Sequence, residues 1–579
     1  MTPRRVLFRH FLRQFASFEA VATGGEAKYV IIAVVSLLAG PGYLAAFVAA
    51  RGGRARELSH EGIVPPDLWL WSPEWLLLSV SLVAVAALVA IQWRSFVLEG
   101  RDYRILGVLP VRRRTVMAAK LQSLVVVVLL LHVAINALPG LWLPAASPFG
   151  WFRAAFALQA ALLMQTVFAC AAIVALQGVV SLALPDGLAR RVSSGLQGAI
   201  LLSVALLFMA EGAISRLAYA MRDGAHLVNV LVPVVWFRAV YVQLLGVDTA
   251  PLAAQARLAW IATAVAVVAA IPCSLLGFRD AHAGAGGGRY RAGLASSRIG
   301  SLLEGGSARP VACAVSSFVG AALLRSASAG LIARGLFVVG LALTLSGLGG
   351  LALRDLGYSA PVIPAEPLHA PAFVLPFFAL VGLRLSAVYP ASIEANWIFR
   401  LTESVGSSDY AAGVRQAALR TVVLPLLVLL AVPYAVLWGP TMAAPHLLLA
   451  LAVALVTVEW LFLGFRKIPF TCTYLPGKAN LRVTWPKYAA IFLVYCGLVP
   501  RLAVWLLARP LAYVVSVALL ALAWRGLVRS RGRGARAGGL VFDEPAEAHV
   551  TVLGLEWVRP RTEDAPEANG PLNANASLE

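Results

Sequence analysis

The sequence predicts an all-α polytopic membrane protein with about twelve transmembrane helices, arranged as two six-helix units. The mean hydropathy of the 579 residues is +0.81, and only 13% of them are charged. Apolar stretches recur along the chain, each close to the roughly 20 residues that cross a hydrocarbon core about 30 Å thick. A water-soluble protein could not cover this much apolar surface.

The apolar stretches fall into two sets on either side of a break at residues 278–310. The first set comprises 28–50, 75–93, 121–139, 155–184, 196–214 and 258–277. The second set comprises 333–353, 371–389, 421–438, 446–464, 488–507 and 510–525. Six-span repeats of this kind are common in transporters.

Loop charges predict the orientation of the chain. The formal charge is +20, from 48 Lys and Arg against 28 Asp and Glu. In a twelve-span arrangement the basic loops all fall on one side, which the positive-inside rule assigns to the cytoplasm. We therefore predict a multi-pass protein of the cell inner (plasma) membrane with both termini cytoplasmic and membrane lipids as partners. No basic stripe lies in a soluble domain, so we expect no nucleic-acid partner.

Composition divides the chain further. Linker composition, rich in Gly, Ser and Arg, marks the break between the sets, and the chain after Arg529 is first basic and flexible, then disordered in composition. A weak alternation at 549–557 could form one strand. The predicted domains are a cytoplasmic amphipathic helix (1–27), a first six-span unit (28–280), a cytoplasmic linker (281–310), a second six-span unit (311–527) and a cytoplasmic tail (528–579).

One apolar piece, residues 227–247, does not fit the span count. As a thirteenth span it would reverse every later loop and break the charge rule. We interpret it as a re-entrant element or as a segment lying in the outer interface.

The sequence contains no motif that is typical of an enzyme active site. The one Gly-Lys pair, Gly477-Lys478, is followed by Ala479 where a phosphate-binding loop needs Ser or Thr. The eight histidines show no ligand spacing, and the five cysteines are scattered with no C-x-x-C. We therefore predict that the chain is not an enzyme, holds no metal and carries no cofactor of its own.

Each set has one long polar segment between its second and third spans. The first reads EGRDYRILGVLPVRRRTVMAAKL from Glu99, and the second spans 390–420. Each opens with a glutamate followed by an aromatic residue, an arginine and a leucine, which suggests a tandem repeat. The alternative for the first segment is a basic anchor on anionic lipid.

The first of these segments resembles the coupling segment in permease subunits of ABC type-2 exporters. The matching residues are Glu99, Tyr103, Arg104, Leu106, Leu109, Pro110, Arg114, Ala119 and Lys120. The family also has an amphipathic helix before span one, six spans per unit and a re-entrant element between spans five and six. The resemblance covers residues 1–280 well and 310–530 loosely, because the second unit lacks the Leu-Pro step and a long loop between its last spans.

The resemblance implies a separate cytoplasmic ABC-type ATPase that binds ATP and seats on these segments. The implied partner-coupling residues are Glu99, Arg104, Leu106, Leu109, Arg112, Arg113, Arg114, Glu394, Trp397 and Arg400. The oligomeric state and the cargo stay open.

A few polar residues lie within the spans, among them His132, Asn136 and Gln165. Interhelical hydrogen bonding is the plainer interpretation, and a role in lining a cargo path is the alternative. Glu459 is placed near a span end, where it can reach the interface.

The function that these features predict is the membrane-spanning permease component of an ATP-driven exporter. Two alternatives stay open: a twelve-span secondary transporter, and a membrane-embedded lipid-linked glycosyl transferase that would use outer carboxylates. The latter are Glu57, Glu61, Asp67 and Glu74. A degenerate permease with a purely structural role is a further possibility.

Overall fold

The computed structural model confirms an all-α polytopic fold, since its described part is built of helices and contains no strand. The described residues are 3–16, 66–92, 111–147, 149–210, 214, 227–247, 252–284, 310–325, 327–354, 366–388, 399, 401, 407–465, 467–471 and 481–538.

The first half of the chain provides eight described helices. They are α1 (Pro3–Ala16), α2 (Pro66–Ile91), α3 (Arg113–Trp142), α4 (Trp151–Ala183), α5 (Asp186–Met209), α6 (Leu227–Leu231), α7 (Pro233–Leu244) and α8 (Ala253–Gly284). The short pair α6 and α7 occupies the apolar piece that did not fit the span count. Two helices this short match an element that does not cross the bilayer.

The second half provides another eight. They are α9 (Pro310–Arg325), α10 (Ala327–Arg354), α11 (Pro371–Ser386), α12 (Ser407–Ala418), α13 (Leu424–Trp438), α14 (Pro440–Leu461), α15 (Leu481–Leu507) and α16 (Pro510–Gly538). A π-helical turn at Leu419–Val423 joins α12 to α13, so the two run on as one span.

Within the described residues, nine helices are long and apolar enough to cross a membrane, and three shorter apolar helices accompany them. Eleven of the twelve predicted spans overlap these helices. The shorter helix α11 and the apolar part of α15, Val494–Leu507, account for two of them. The predicted first span, 28–50, lies outside the described residues.

Large apolar side chains remain uncovered along these spans. Leu511 is 82% exposed and Val436 is 80% exposed. Such surfaces suit contact with lipid tails and would be aggregation-prone in water.

The last helix runs further than its composition predicted. Residues 529–538 are rich in Arg and Gly and were expected to be flexible, but α16 continues to Gly538. Extending an existing helix avoids the cost of nucleation, so a few glycines can be tolerated. The predicted strand at 549–557 lies outside the described residues.

Helix packing repeats between the two halves. In each half, the helix that precedes the first span packs on the start of the third span: α1 on α3, and α9 on α12. The second span packs on the fourth in both halves (α2 on α4, α11 on α14), and the fourth packs on the sixth (α4 on α8, α14 on α16). Shared neighbours of this kind support the tandem repeat that the loop placement suggested.

The two halves meet where α5 packs on α10. Met209 at the end of α5 lies against a buried cluster from the second half that includes Leu343, Val374 and Phe377. One polypeptide therefore brings both halves into direct contact through apolar side chains.

Candidate functional site

Most of the predicted coupling residues lie outside the described residues. These are Glu99, Arg104, Leu106, Leu109, Glu394, Trp397 and Arg400. Their roles stay predictions. The described residues at the ends of these segments show which helices lie next to them.

The end of the first predicted coupling segment is a basic helix start. α3 begins at Arg113, and Arg112 is its N-cap with an extended backbone and no side-chain capping bond. Arg112 and Arg114 are exposed. Positive charge at a helix N-terminus opposes the helix dipole by some tenths of a kcal/mol. These arginines therefore do not serve the stability of α3 and are available to lipid or to a partner.

Lys120, which belongs to the same motif, lies in a different environment. Its ammonium stands 4.9 Å from the centroid of the Phe11 ring, and Lys120 is only 4% exposed. Phe11 is fully buried and packs in one cluster with Leu7, Val116 and Ala119. The motif residue Lys120 thus contacts α1, and α1 is held at the base of α3, where the predicted coupling segment ends.

The second unit has a matching contact. Phe399, which lies within the second predicted coupling segment, is buried and its ring centroid is 5.2 Å from that of Phe318 on α9. The Tyr410 hydroxyl of α12 donates a 3.3 Å hydrogen bond to the Phe399 carbonyl. In each unit, a described part of the predicted coupling segment therefore contacts the helix that precedes the first span.

Sequence reasoning did not single out Phe399. The sequence signal that could have found Phe399 was its position between Trp397 and Arg400, both of which were predicted to contact the ATPase. Leu401, two positions further, is 73% exposed. One aromatic side chain thus anchors this segment while a neighbouring apolar side chain faces outwards.

The polar residues of spans three and four are engaged with neighbouring helices. The Asn136 side-chain amide lies 3.3 Å from His132 Nδ1 and donates to Thr166 Oγ1 at 3.5 Å. The Gln165 amide donates to the Leu78 carbonyl of α2 at 2.8 Å. The bonds of Asn136 to Thr166 and of Gln165 to Leu78 join different helices, whereas the contact of Asn136 with His132 lies within α3. A role of His132, Asn136 and Gln165 in a cargo path stays a prediction.

Of the four carboxylates that the glycosyl-transferase alternative would use, only the side chain of Glu74 is described. Glu57 and Glu61 lie outside the described residues, and the Asp67 side chain is not described. Glu74 is 4% exposed; it accepts a hydrogen bond from Tyr241 and faces the charge of Arg238. Glu74 therefore joins α2 to α7.

A buried charge cluster occupies the second unit, and it includes Glu459, which lies near the end of its span as predicted but is buried among arginines. Glu459 of α14 is 1% exposed; its Oε1 lies 3.1 Å from Arg415 Nη1, and its Oε2 lies 3.2 Å from Arg531 Nη1. Arg384 of α11 donates to the Leu461 carbonyl at 2.9 Å beside them. Hydropathy alone could not find this cluster, because its members come from four distant helices.

The described part of the chain contains no group of three His, Cys, Asp or Glu side chains close enough to hold a metal ion.

Comparison with protein-family models, with curated proteins and with solved structures finds no match.

Proposed function

We propose that this chain is the membrane-spanning permease component of an ATP-driven exporter, energised by a separate cytoplasmic ABC-type ATPase. The observation that carries the proposal is the place of the two predicted coupling segments. Each lies between the second and third spans of its unit and ends beside the helix that precedes the first span. A force applied there would reach both the surface helix and the third span.

The two predicted coupling segments would transmit the energy of ATP hydrolysis to the helix bundles. The apolar side chains Ile105, Leu106 and Leu109 would provide buried contact with the ATPase, and Arg112 and Arg114 would provide charge pairing. Hydrolysis on the partner would then shift the helix bundles between two arrangements, since packed helical interfaces switch between discrete states. The proposed orientation places both termini and both coupling segments in the cytoplasm of the inner membrane.

The helix pair α6 and α7 supports the same assignment. It lies between the fifth and sixth spans of the first unit, where the resembled family has a re-entrant element. α7 packs on α2, α4 and α8, and the hydrogen bond between Tyr241 and Glu74 joins it to α2. The pair would close the non-cytoplasmic end of the first unit.

Leu106→Glu tests this proposal. Truncating an anchor of a protein contact typically costs about 2 kcal/mol or more, so a buried charge at Leu106 should abolish co-isolation of an ATP-hydrolysing subunit. The amount of chain in the membrane should stay unchanged. Leu188→Glu is a matched control, because Leu188 is 48% exposed and lies on the same predicted side.

A basic lipid anchor predicts another pattern. Each charge near an anionic surface contributes about 1 kcal/mol. Neutralising Arg112, Arg113 and Arg114 would then change orientation or lipid preference, while Leu106→Glu would leave partner binding intact. That second pattern would contradict the exporter proposal.

The buried cluster around Glu459 favours one second candidate, a secondary transporter. Ionisable residues inside a membrane protein often mark ion pathways. Transport measured in sealed vesicles separates the two candidates. Loss of transport on collapsing the ion gradient, with ATP still present, would favour the secondary transporter; loss on removing ATP alone favours the exporter.

A further inference from the structure

Two histidines and three aromatic residues form a closed cluster at one end of the second unit. We call it the histidine cluster; its members are His369, Phe373, Tyr434, Trp438 and His446. Four elements meet there: the turn before α11, the start of α11, the end of α13 and the start of α14. In the proposed orientation this end faces away from the cytoplasm.

His446 is enclosed by rings. It is fully buried, and its centroid lies 5.1 Å from that of His369, 5.0 Å from that of Tyr434 and 5.3 Å from that of Trp438. Neither of its ring nitrogens has a partner with good hydrogen-bond geometry among the described residues; the backbone of His369 is the neighbour that comes nearest to that role. A charged imidazole buried in such surroundings would need solvation or an anion.

His369 closes the cluster from the turn. Its ring stacks on Trp438 with a centroid distance of 4.3 Å and an interplanar angle of 21°. Burial lowers the pKa of His369, and the charge of Glu366 acts in the opposite direction. Glu366 itself has a positive φ of 53°, which is a strained backbone for a residue other than Gly. The turn is therefore held in place by the ring stack against a local backbone preference.

Few charges of the described residues are available to balance a proton in this place. The titratable and charged groups on the surrounding elements are Glu366, His369, Tyr434, Arg509 and Tyr513. Glu366 is exposed, Arg509 lies over Trp505 at 4.4 Å, and the Tyr513 hydroxyl donates to the Pro445 carbonyl at 2.9 Å. A proton on His446 would thus sit beside a second imidazole in aromatic surroundings.

We infer that His369 and His446 form a proton-sensitive contact that holds the Glu366–Ala370 turn against α13 and α14 when both rings are neutral and releases it on acidification. Histidine is the residue whose charge changes in this pH range. For His369 the folded-state pKa lies below its ordinary value, so the stabilising contact is fully present above an ordinary histidine pKa of about 6.5 and is lost as the pH falls below it. This inference does not depend on an ATPase.

The stack of His369 on Trp438 gives a direct readout. The fluorescence of the purified full-length chain is compared with that of a Trp438→Phe variant, and the difference reports on Trp438 alone. From about pH 7.5 to about pH 5 we expect a reversible, sigmoidal change in this difference signal. His446→Phe and His369→Phe keep ring packing and remove the proton site, and each should weaken or abolish the change.

Two further measurements guard against a folding defect. His446→Phe should melt at a higher temperature than the native chain at about pH 5 and at a similar temperature at about pH 7.5. His132→Gln, which changes a buried histidine of the first unit, should retain the fluorescence transition. A flat Trp438 signal across the pH range, or a transition that survives in the double variant H369F/H446F, would overturn the inference.

Discussion

Glu459 holds two arginines from different helices in the interior of the second unit. Arg415 comes from α12 and Arg531 from the end of α16, and their side chains are 18% and 8% exposed. Burying these ions costs several kcal/mol each in desolvation, which their mutual contacts offset. The carboxylate therefore fixes the ends of α12, α14 and α16 relative to one another.

Glu459→Gln is expected to destabilise the second unit strongly. Removing one partner of a buried ion pair typically costs about 3–5 kcal/mol, since the remaining charge stays buried without compensation. The melting temperature in lipid nanodiscs measures the loss. Glu366→Gln removes an exposed carboxylate and serves as the control. Equal melting temperatures for the two variants would show that Glu459 does not organise these helices.

Lys120 and Phe399 show what sequence reasoning could and could not assign at single residues. The motif around Lys120 was visible in the sequence, but its contact with Phe11 depends on where α1 packs, more than one hundred residues away in the chain. Phe399 was passed over because neighbouring aromatic residues in a short polar segment do not show which of them is buried. Side-chain contacts between distant segments leave no local pattern, whereas hydropathy does.

At the scale of helices, the spans were predictable because length and hydropathy are properties of each segment alone. The helical end of α16 could not be predicted. Its composition favours a flexible chain, but the preceding helix continues through it. The pair α6 and α7 could be separated from the spans only through the charge rule. The packing of α1 on α3 and of α9 on α12 required the structure.

The contact of α9 with α12 depends on a glycine. A Cβ added at Gly413 would lie 2.7 Å from the Cβ of Val315 and 2.8 Å from the carbonyl oxygen of Ala312. Neither neighbour can yield without moving the helix backbone or its branched side chain. A residue larger than Gly would therefore push α9 away from the start of the third span.

Gly413→Ala should cost about 1–3 kcal/mol, as overpacking in a close contact does. Its helical-propensity gain of about 0.5–1 kcal/mol is too small to offset this. Hydrogen exchange in α9 should rise relative to the native chain. Gly335→Ala is the matched control, because a Cβ at Gly335 meets nothing within 4 Å, and it should be neutral or slightly stabilising. Unchanged exchange in the Gly413 variant would contradict the close contact.

At the scale of the whole molecule, one chain carries both units and their contact through α5 and α10. The repeated helix pairings extend the similarity that loop placement suggested, although the two units differ. Only the first contains the helix pair α6 and α7 in the described residues, and only the second contains the described cluster of Glu459 with Arg415 and Arg531. The units are therefore related in architecture and distinct in their buried polar groups.

The charge distribution predicts the orientation of this assembly. Reporter fusions at Gly100, Gly288 and Ser530 should report the cytoplasm, and a fusion at Gly53 should report the opposite side, because the basic loops then share one side. Reporters active only on one side of the membrane provide the measurement. A cytoplasmic signal at Gly53 would contradict the twelve-span topology.

Dependence on a separate ATPase is the central claim, and ATP hydrolysis tests it most directly. The tagged native chain is isolated in mild detergent from membranes that contain its partners, and vanadate-sensitive hydrolysis is measured before and after the partners are removed with high salt. We predict hydrolysis in the complex, none in the stripped chain, and none in material isolated with Leu106→Glu. Hydrolysis that remains with the stripped chain, or transport by a preparation that does not hydrolyse ATP, would contradict the account.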